Sequence, residues 1–142
     1  MSWIKKLLFG SGDTAKENVI ADWTTVPESN YVRSKTGLLY FDLVEGKGKS
    51  PVKGNTVTVH YTGWLLSGRR FDSSRTKNRA FSFDIGKHKV IRGWDEGVMS
   101  MKVGGLRQLK IPPTLGYGAA GSPPVIPQNA TLIFEVELLE IQ

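Results

Sequence analysis

Cysteine is absent from this chain of 142 residues, which removes a disulfide framework and a thiol nucleophile together. Histidine occurs twice, at His60 and His88, and two distant imidazoles do not make a metal site, so no metal is expected. No apolar run approaches the ~20 residues that a membrane-spanning helix needs. Acidic residues are the minority, 13 against 19 basic, for a net charge of +6 and a pI near 9.7. That balance permits contact with nucleic acid or anionic lipid without establishing it. Two signature loops are also missing. Without a Gly-x-Ser-x-Gly elbow a serine hydrolase has no support, and without G-x-x-x-x-G-K-[ST] neither has a P-loop enzyme. Asp95 and Glu96 are sequence neighbours that diverge on a helix, so they do not form a working carboxylate pair.

What is present suits one domain with a modest core, since 39% of the residues are hydrophobic. Met1–Gly10, MSWIKKLLFG, reads either as a short amphipathic turn or two able to touch a membrane surface weakly, or as a frayed terminus. It makes a poor secretory signal, which gives cytoplasmic as the expected compartment. Residues 11–35 are polar and aperiodic, an extension with Trp23, Val26, Tyr31 and Val32 as its only anchors. The division expected is an N-terminal extension over 1–35 and a domain over 36–142. Within the domain, Leu38–Val44 is a strand candidate, and Asn55–Leu65 alternates Val57, Val59 and Tyr61 against Thr56, Thr58, His60 and Thr62. Arg70–Ser74, Phe81–Ile85, Leu106–Ile111 and Ala130–Ile141 follow as further strands. A short helix from about Gly93 to Met101 aligns Val90, Trp94, Val98 and Met101 on one face. Strands, one helix, then strands, without βαβ alternation, predict an α+β fold with an antiparallel sheet. Residues 69–92 are rich in Lys and Arg but hold no basic block, and read as a solvated mixed surface.

The aromatics Tyr61, Phe71, Phe81, Trp94, Tyr117 and Phe134 stand at strand ends, on the helix and in the long Gly- and Pro-rich loop over 114–128. If they converge, they form an apolar pocket with a few polar tips; if not, Trp94 simply packs in the core. Four stretches bear on this: VTVHYTGWLLSGRRFDSS (57–74), FSFDIGKHKVIRGWDEGV (81–98), GYGAAGSPPVIP (116–127) and ATLIFEVELLEI (130–141). In this order they resemble the FKBP-type peptidyl-prolyl cis–trans isomerases, the tacrolimus-binding immunophilins, over residues 37 to 141.

The resemblance implies a five- to six-stranded antiparallel sheet wrapped around one short α-helix, with a shallow pocket for a proline ring. Carried over residue by residue, it places Trp94 under the ring and Tyr61, Phe71 and Phe134 as walls. Phe81, Val90 and Ile91 would also line the site, with Val125 and Ile126 at the rim. The Ile91 N–H and the Tyr117 hydroxyl would meet substrate carbonyls. Asp72 would be the polar tip, either polarising a group in the pocket or pairing with Tyr61 and a basic neighbour. It also implies no cofactor, a monomer, proline-containing peptides and folding proteins as partners, and binding of macrolides such as tacrolimus and rapamycin. Nucleic acid is not expected as a partner. Pro123-Pro124 departs from the family, where glycine is frequent in the second position. The extension over 1–35 lies outside the resemblance, and its removal is expected to leave turnover within a few-fold.

Overall fold

The computed structural model describes residues 22–142; the reading of residues 1–10 as amphipathic falls outside the described residues. Its elements in chain order are β1 (Val32–Arg33), β2 (Leu39–Val44), β3 (Thr56–Leu65), β4 (Arg70–Ser73), β5 (Phe81–Asp84), α1 (Arg92–Met99), β6 (Leu106–Ile111) and β7 (Leu132–Ile141). All strand pairs are antiparallel. The sheet runs β1-β2-β6-β7-β3-β4, and β5 also pairs β3. It has seven strands, because the extension contributes the two-residue β1.

Alternation decides which way β3 and β7 face. Val57, Val59 and Tyr61 point inward from β3, and Phe134, Val136 and Leu138 point inward from β7; all are buried. The two strands pair from Val57↔Ile141 to Leu65↔Leu132. Against their inner face lies α1, with Trp94 and Val98 buried; Met101, just beyond it, is buried too. The helix lies close to β6 because two of its positions lack a side chain. A Cβ on Gly93 would stand 2.7 Å from an Ile111 methyl, and one on Gly97 would stand 2.6 Å from Leu109. Both ends of α1 are pinned. Near its start, the Asp95 carboxylate accepts the Gly86 and His88 N–H groups at 2.8 and 3.1 Å, which fixes the turn leading into the helix. Near its end, the buried Arg107 guanidinium donates to the Gly97 carbonyl at 2.9 Å and to Ser100 Oγ at 2.7 Å. It grips Asp42 with its other face, through 2.7 and 3.1 Å bonds.

β3 has two partners on one edge. β5 covers Thr56–Val59 and β4 covers Thr62–Trp64, leaving His60 and Tyr61 at the seam. Ser74 closes it. Its N–H donates to the Tyr61 carbonyl at 2.9 Å, and its Oγ accepts the Tyr61 N–H at 2.8 Å. The seam thus orients the Tyr61 backbone without a continuous ladder.

Residues ahead of Thr36 also pack on the sheet. Trp23 meets Trp64 edge-on at 5.8 Å, and the Trp64 indole donates to Asp22. The Thr24 N–H donates to Glu135 at 2.7 Å. Gln108, 0% exposed, donates to the Thr24 carbonyl and to Glu135, while its oxygen accepts the Tyr31 hydroxyl. A buried amide in mid-strand is costly unless satisfied, and here the extension helps to satisfy it. The segment shows no periodicity because it is held by single side chains, of which Trp23 and Tyr31 are two of the expected anchors. Tyr31→Phe, which leaves the Gln108 oxygen without this donor, is expected to lower stability by about 1–2 kcal/mol in urea titration while peptide turnover stays unchanged. Full deletion of 1–35 strips these contacts from a buried face and is expected to cost stability.

Candidate active site

Five elements, β3, β4, β5, α1 and β7, bring the aromatic side chains together. Trp94 projects from the first turn of α1 into a ring of neighbours. Centroid separations are 4.9 Å to Tyr61, 5.3 Å to Phe134, 5.7 Å to Phe83 and 6.0 Å to Phe81. Most of these contacts are edge-to-face, the arrangement that ring quadrupoles favour. Phe71 from β4 stands against Phe134 at 5.5 Å with an interplanar angle of 89°. The set is graded in exposure. Tyr61, Phe83, Trp94 and Phe134 are buried, whereas Phe81, Tyr117 and Val125 stay 38 to 41% exposed. Phe71, Val90 and Ile91 are half-buried against the core. A buried aromatic floor with a half-exposed apolar collar can receive a small apolar ring from outside.

The walls need a glycine. Gly63 on β3 pairs directly with Phe134 on β7, and the Phe134 ring lies across it. A Cβ there would meet Phe134 Cε1 at 2.5 Å and Phe71 Cζ at 2.9 Å. Gly63 therefore sets where two walls stand.

The polar groups sit at one end. The Tyr61 hydroxyl donates to Asp72 Oδ2 at 2.7 Å, and Lys77 Nζ lies 3.1 Å from Asp72 Oδ1. Asp72 thus contacts both Tyr61 and a basic neighbour. Burial, then the hydrogen bond to Asp72 and its charge, push the Tyr61 phenol well above its usual range. Burial and the Asp72 charge also push the Tyr117 phenol up. The Ile91 N–H and the Tyr117 hydroxyl have no hydrogen-bond partner among the described residues. The Trp94 Nε1–H is buried without an acceptor among the described residues.

The other chemistry-bearing residues lie elsewhere. His60 faces away from the rings on β3, with Nδ1 2.7 Å from Ser74 Oγ. Burial lowers its pKa, and Arg75 adds to that against an opposing pull from Glu137. A histidine depressed in the folded state contributes stability that is whole above its unfolded value of about 6.5 and is lost as pH falls through its folded value. The gap in melting temperature between wild type and His60→Gln is therefore expected to narrow when pH is lowered from 7.5 to 5.

Of the expected site residues, Tyr61, Phe71, Phe81, Trp94 and Phe134 form one cluster, with Asp72 bonded to it. Ile126, expected at the rim, is 4% exposed and joins the core cluster. The reason is a bridge with Ser122, closed by bonds of 2.8 and 2.9 Å, which turns the loop back and drives Ile126 inward while Val125 stays outside. Two residues escaped the sequence reading. Phe83 stacks on Phe81 at 5.7 Å and touches Trp94; its period-two spacing from Phe81 was the available signal. Gly63 carried no signal of its own, since its importance lies in what stands opposite.

Sequence comparison agrees with this geometry. The sequence profile of the FKBP-type peptidyl-prolyl cis-trans isomerases matches residues 47–139. A Neisseria meningitidis protein named FK506-binding protein is 55% identical over 105 residues, covering 74% of this chain and 96% of its own length. The Xenopus laevis peptidyl-prolyl cis-trans isomerase FKBP1A is 52% identical over 101 residues, 70% of this chain and 94% of its own. Among solved structures, AtFKBP13 superposes with a TM-score of 0.75 at 36% identity, covering 79% of this chain and 98% of that one. FkpA from Escherichia coli gives 0.75 at 45% identity, covering 81% of this chain and 53% of that one. On fold, ring cluster and sequence alike, the chain belongs to the FKBP-type peptidyl-prolyl cis–trans isomerases.

Proposed function

We propose that the rings around Trp94 are where this chain accelerates rotation about X-Pro bonds in peptides and folding proteins. The observation that carries the assignment is the buried Tyr61, Trp94 and Phe134 floor, with centroids 4.9 to 6.2 Å apart, beside the half-exposed Phe81 and Tyr117. An X-Pro bond rotates over a barrier of roughly 18–20 kcal/mol that comes from amide resonance. Halfway round, the C–N bond has lost double-bond character and the carbonyl is less polar. An apolar, water-poor cavity suits that twisted state better than the planar one. Each 1.4 kcal/mol of such preference gives about tenfold in rate. Gripping the pyrrolidine on Trp94 contributes on the order of 1.5–3 kcal/mol of burial. The Ile91 N–H and Tyr117 hydroxyl, both open to an outside acceptor, hold the carbonyls beside the rotating bond. Asp72 fixes the Tyr61 hydroxyl through its hydrogen bond; it does not transfer a proton.

The same collar takes macrolides. The neisserial relative carries FK506 binding in its name, and we extend that to tacrolimus and rapamycin at this site. The test is a protease-coupled assay on an X-Pro peptide. The expected outcome is catalysis that tacrolimus abolishes at stoichiometric amounts. Asp72→Ala is expected to reduce it by about tenfold, the loss of one charge-assisted bond positioning Tyr61. Turnover indifferent both to tacrolimus and to Asp72→Ala would place the chemistry elsewhere.

A further inference from the structure

Charge is concentrated in one stretch of the chain. Residues 69–92 hold eight Lys and Arg against Asp72 and Asp84, an excess that equals the net charge of the whole chain, +6. The remaining 11 basic residues balance the remaining 11 acidic ones. This stretch supplies the loops on either side of Phe81 and the approach to Val90 and Ile91. The loop between β4 and β5 carries Arg75, Lys77 and Arg79, and the one between β5 and α1 carries Lys87 and Lys89; Arg92 begins the helix. All six are exposed. Arg75 pairs with Glu137 and Lys77 with Asp72. Arg79, Lys87, Lys89 and Arg92 have no acidic partner among the described residues. Nearby acids are engaged: Asp72 by Tyr61 and Lys77, Asp84 by Thr56 Oγ1 at 2.8 Å, Asp95 by two backbone N–H groups and Glu96 by Thr36.

We infer that this isomerase site selects X-Pro bonds flanked by acidic residues, with Arg79, Lys89 and Arg92 reading the flanking charge. The inference rests on the isomerase reading and adds its substrate class. Arg79 stands two residues before Phe81, Lys89 adjoins Val90 and Arg92 stands two residues before Trp94, within the reach of peptide residues two to four positions from a proline on Trp94, since an extended chain advances about 3.3–3.6 Å per residue. Exposed charges at that range act through solvent, so they raise the encounter rate and lower KM rather than change the rotation step. A nucleic acid would use the same charges but has no use for a proline-sized apolar floor between them.

The test uses three peptides with one shared X-Pro core and Glu, Gln or Lys at the second and third flanking positions. Exchange NMR on the full chain avoids the charge preference of a coupling protease. At low ionic strength, kcat/KM for the Glu peptide is expected to exceed that for the Lys peptide by about tenfold, falling to about twofold in 0.5 M salt, where the Debye length is only a few ångström. Arg79→Glu with Lys89→Glu is expected to cut the ratio at least threefold while the Gln peptide turns over as before. A ratio near one, or one that survives both salt and the double variant, overturns the inference. So does a flank that binds a single-stranded oligonucleotide at 0.15 M salt with no peptide charge preference. A wild-type protein inert on the Gln peptide would instead remove the isomerase reading on which the inference stands.

Discussion

Phe134→Ala is expected to lower kcat/KM on an X-Pro peptide by about 10- to 100-fold, the equivalent of the 1.5–3 kcal/mol that an aromatic wall contributes to ring burial. The same change is expected to cost about 3–5 kcal/mol of stability, since it opens a cavity in a full core. The ring is 4% exposed and touches Tyr61, Phe71 and Trp94. A domain with about 5–15 kcal/mol in hand survives that loss, so activity remains measurable. Phe134→Leu separates the two effects. Leucine fills most of the volume but offers no ring edge to Trp94, so turnover should still fall about tenfold while the melting temperature drops much less. A folded Phe134→Leu protein with wild-type turnover would show that the ring serves packing alone.

Gly63→Ala is the second. A methyl group 2.5 Å from Phe134 and 2.9 Å from Phe71 must displace both rings, which meet edge to face at 5.5 Å. Overpacking of this kind costs about 1–3 kcal/mol. Because two walls move together, turnover is expected to fall about 10- to 100-fold, out of proportion to the stability lost, since geometry within an ångström governs such sites. Tacrolimus affinity, read by calorimetry, should fall alongside. Unchanged turnover in a folded variant would mean that the rings tolerate displacement.

The sheet and helix were legible because burial there is periodic. Val57, Val59 and Tyr61 alternate, Leu132 to Leu138 alternate, and Trp94 and Val98 recur at helical spacing. The ring cluster was legible only through resemblance, since no local rule says that Phe71, Trp94 and Phe134 converge across three elements. What stayed hidden depends on partners distant in sequence. Gly63 matters because of Phe134. Ile126 turns inward because of a bridge to Ser122. The hold of Asp22, Thr24 and Tyr31 on Trp64, Gln108 and Glu135 joins residues tens of positions apart, and neither a polar glutamine in mid-strand nor an aperiodic leader announces the other.

The pairing of β3 with β7 has a kinetic consequence. Val57 meets Ile141 and Leu65 meets Leu132, so the longest ladder joins segments separated by most of the domain. Closing that loop carries its entropic penalty before any contact repays it, and such non-local topology places folding in the millisecond-to-second range. On the ribosome, residues 56–65 emerge early and wait, edge open, until residues 132–141 are made. A nascent chain stalled before that point would leave this protein dependent on the kind of holding assistance that a folding catalyst ordinarily gives to others.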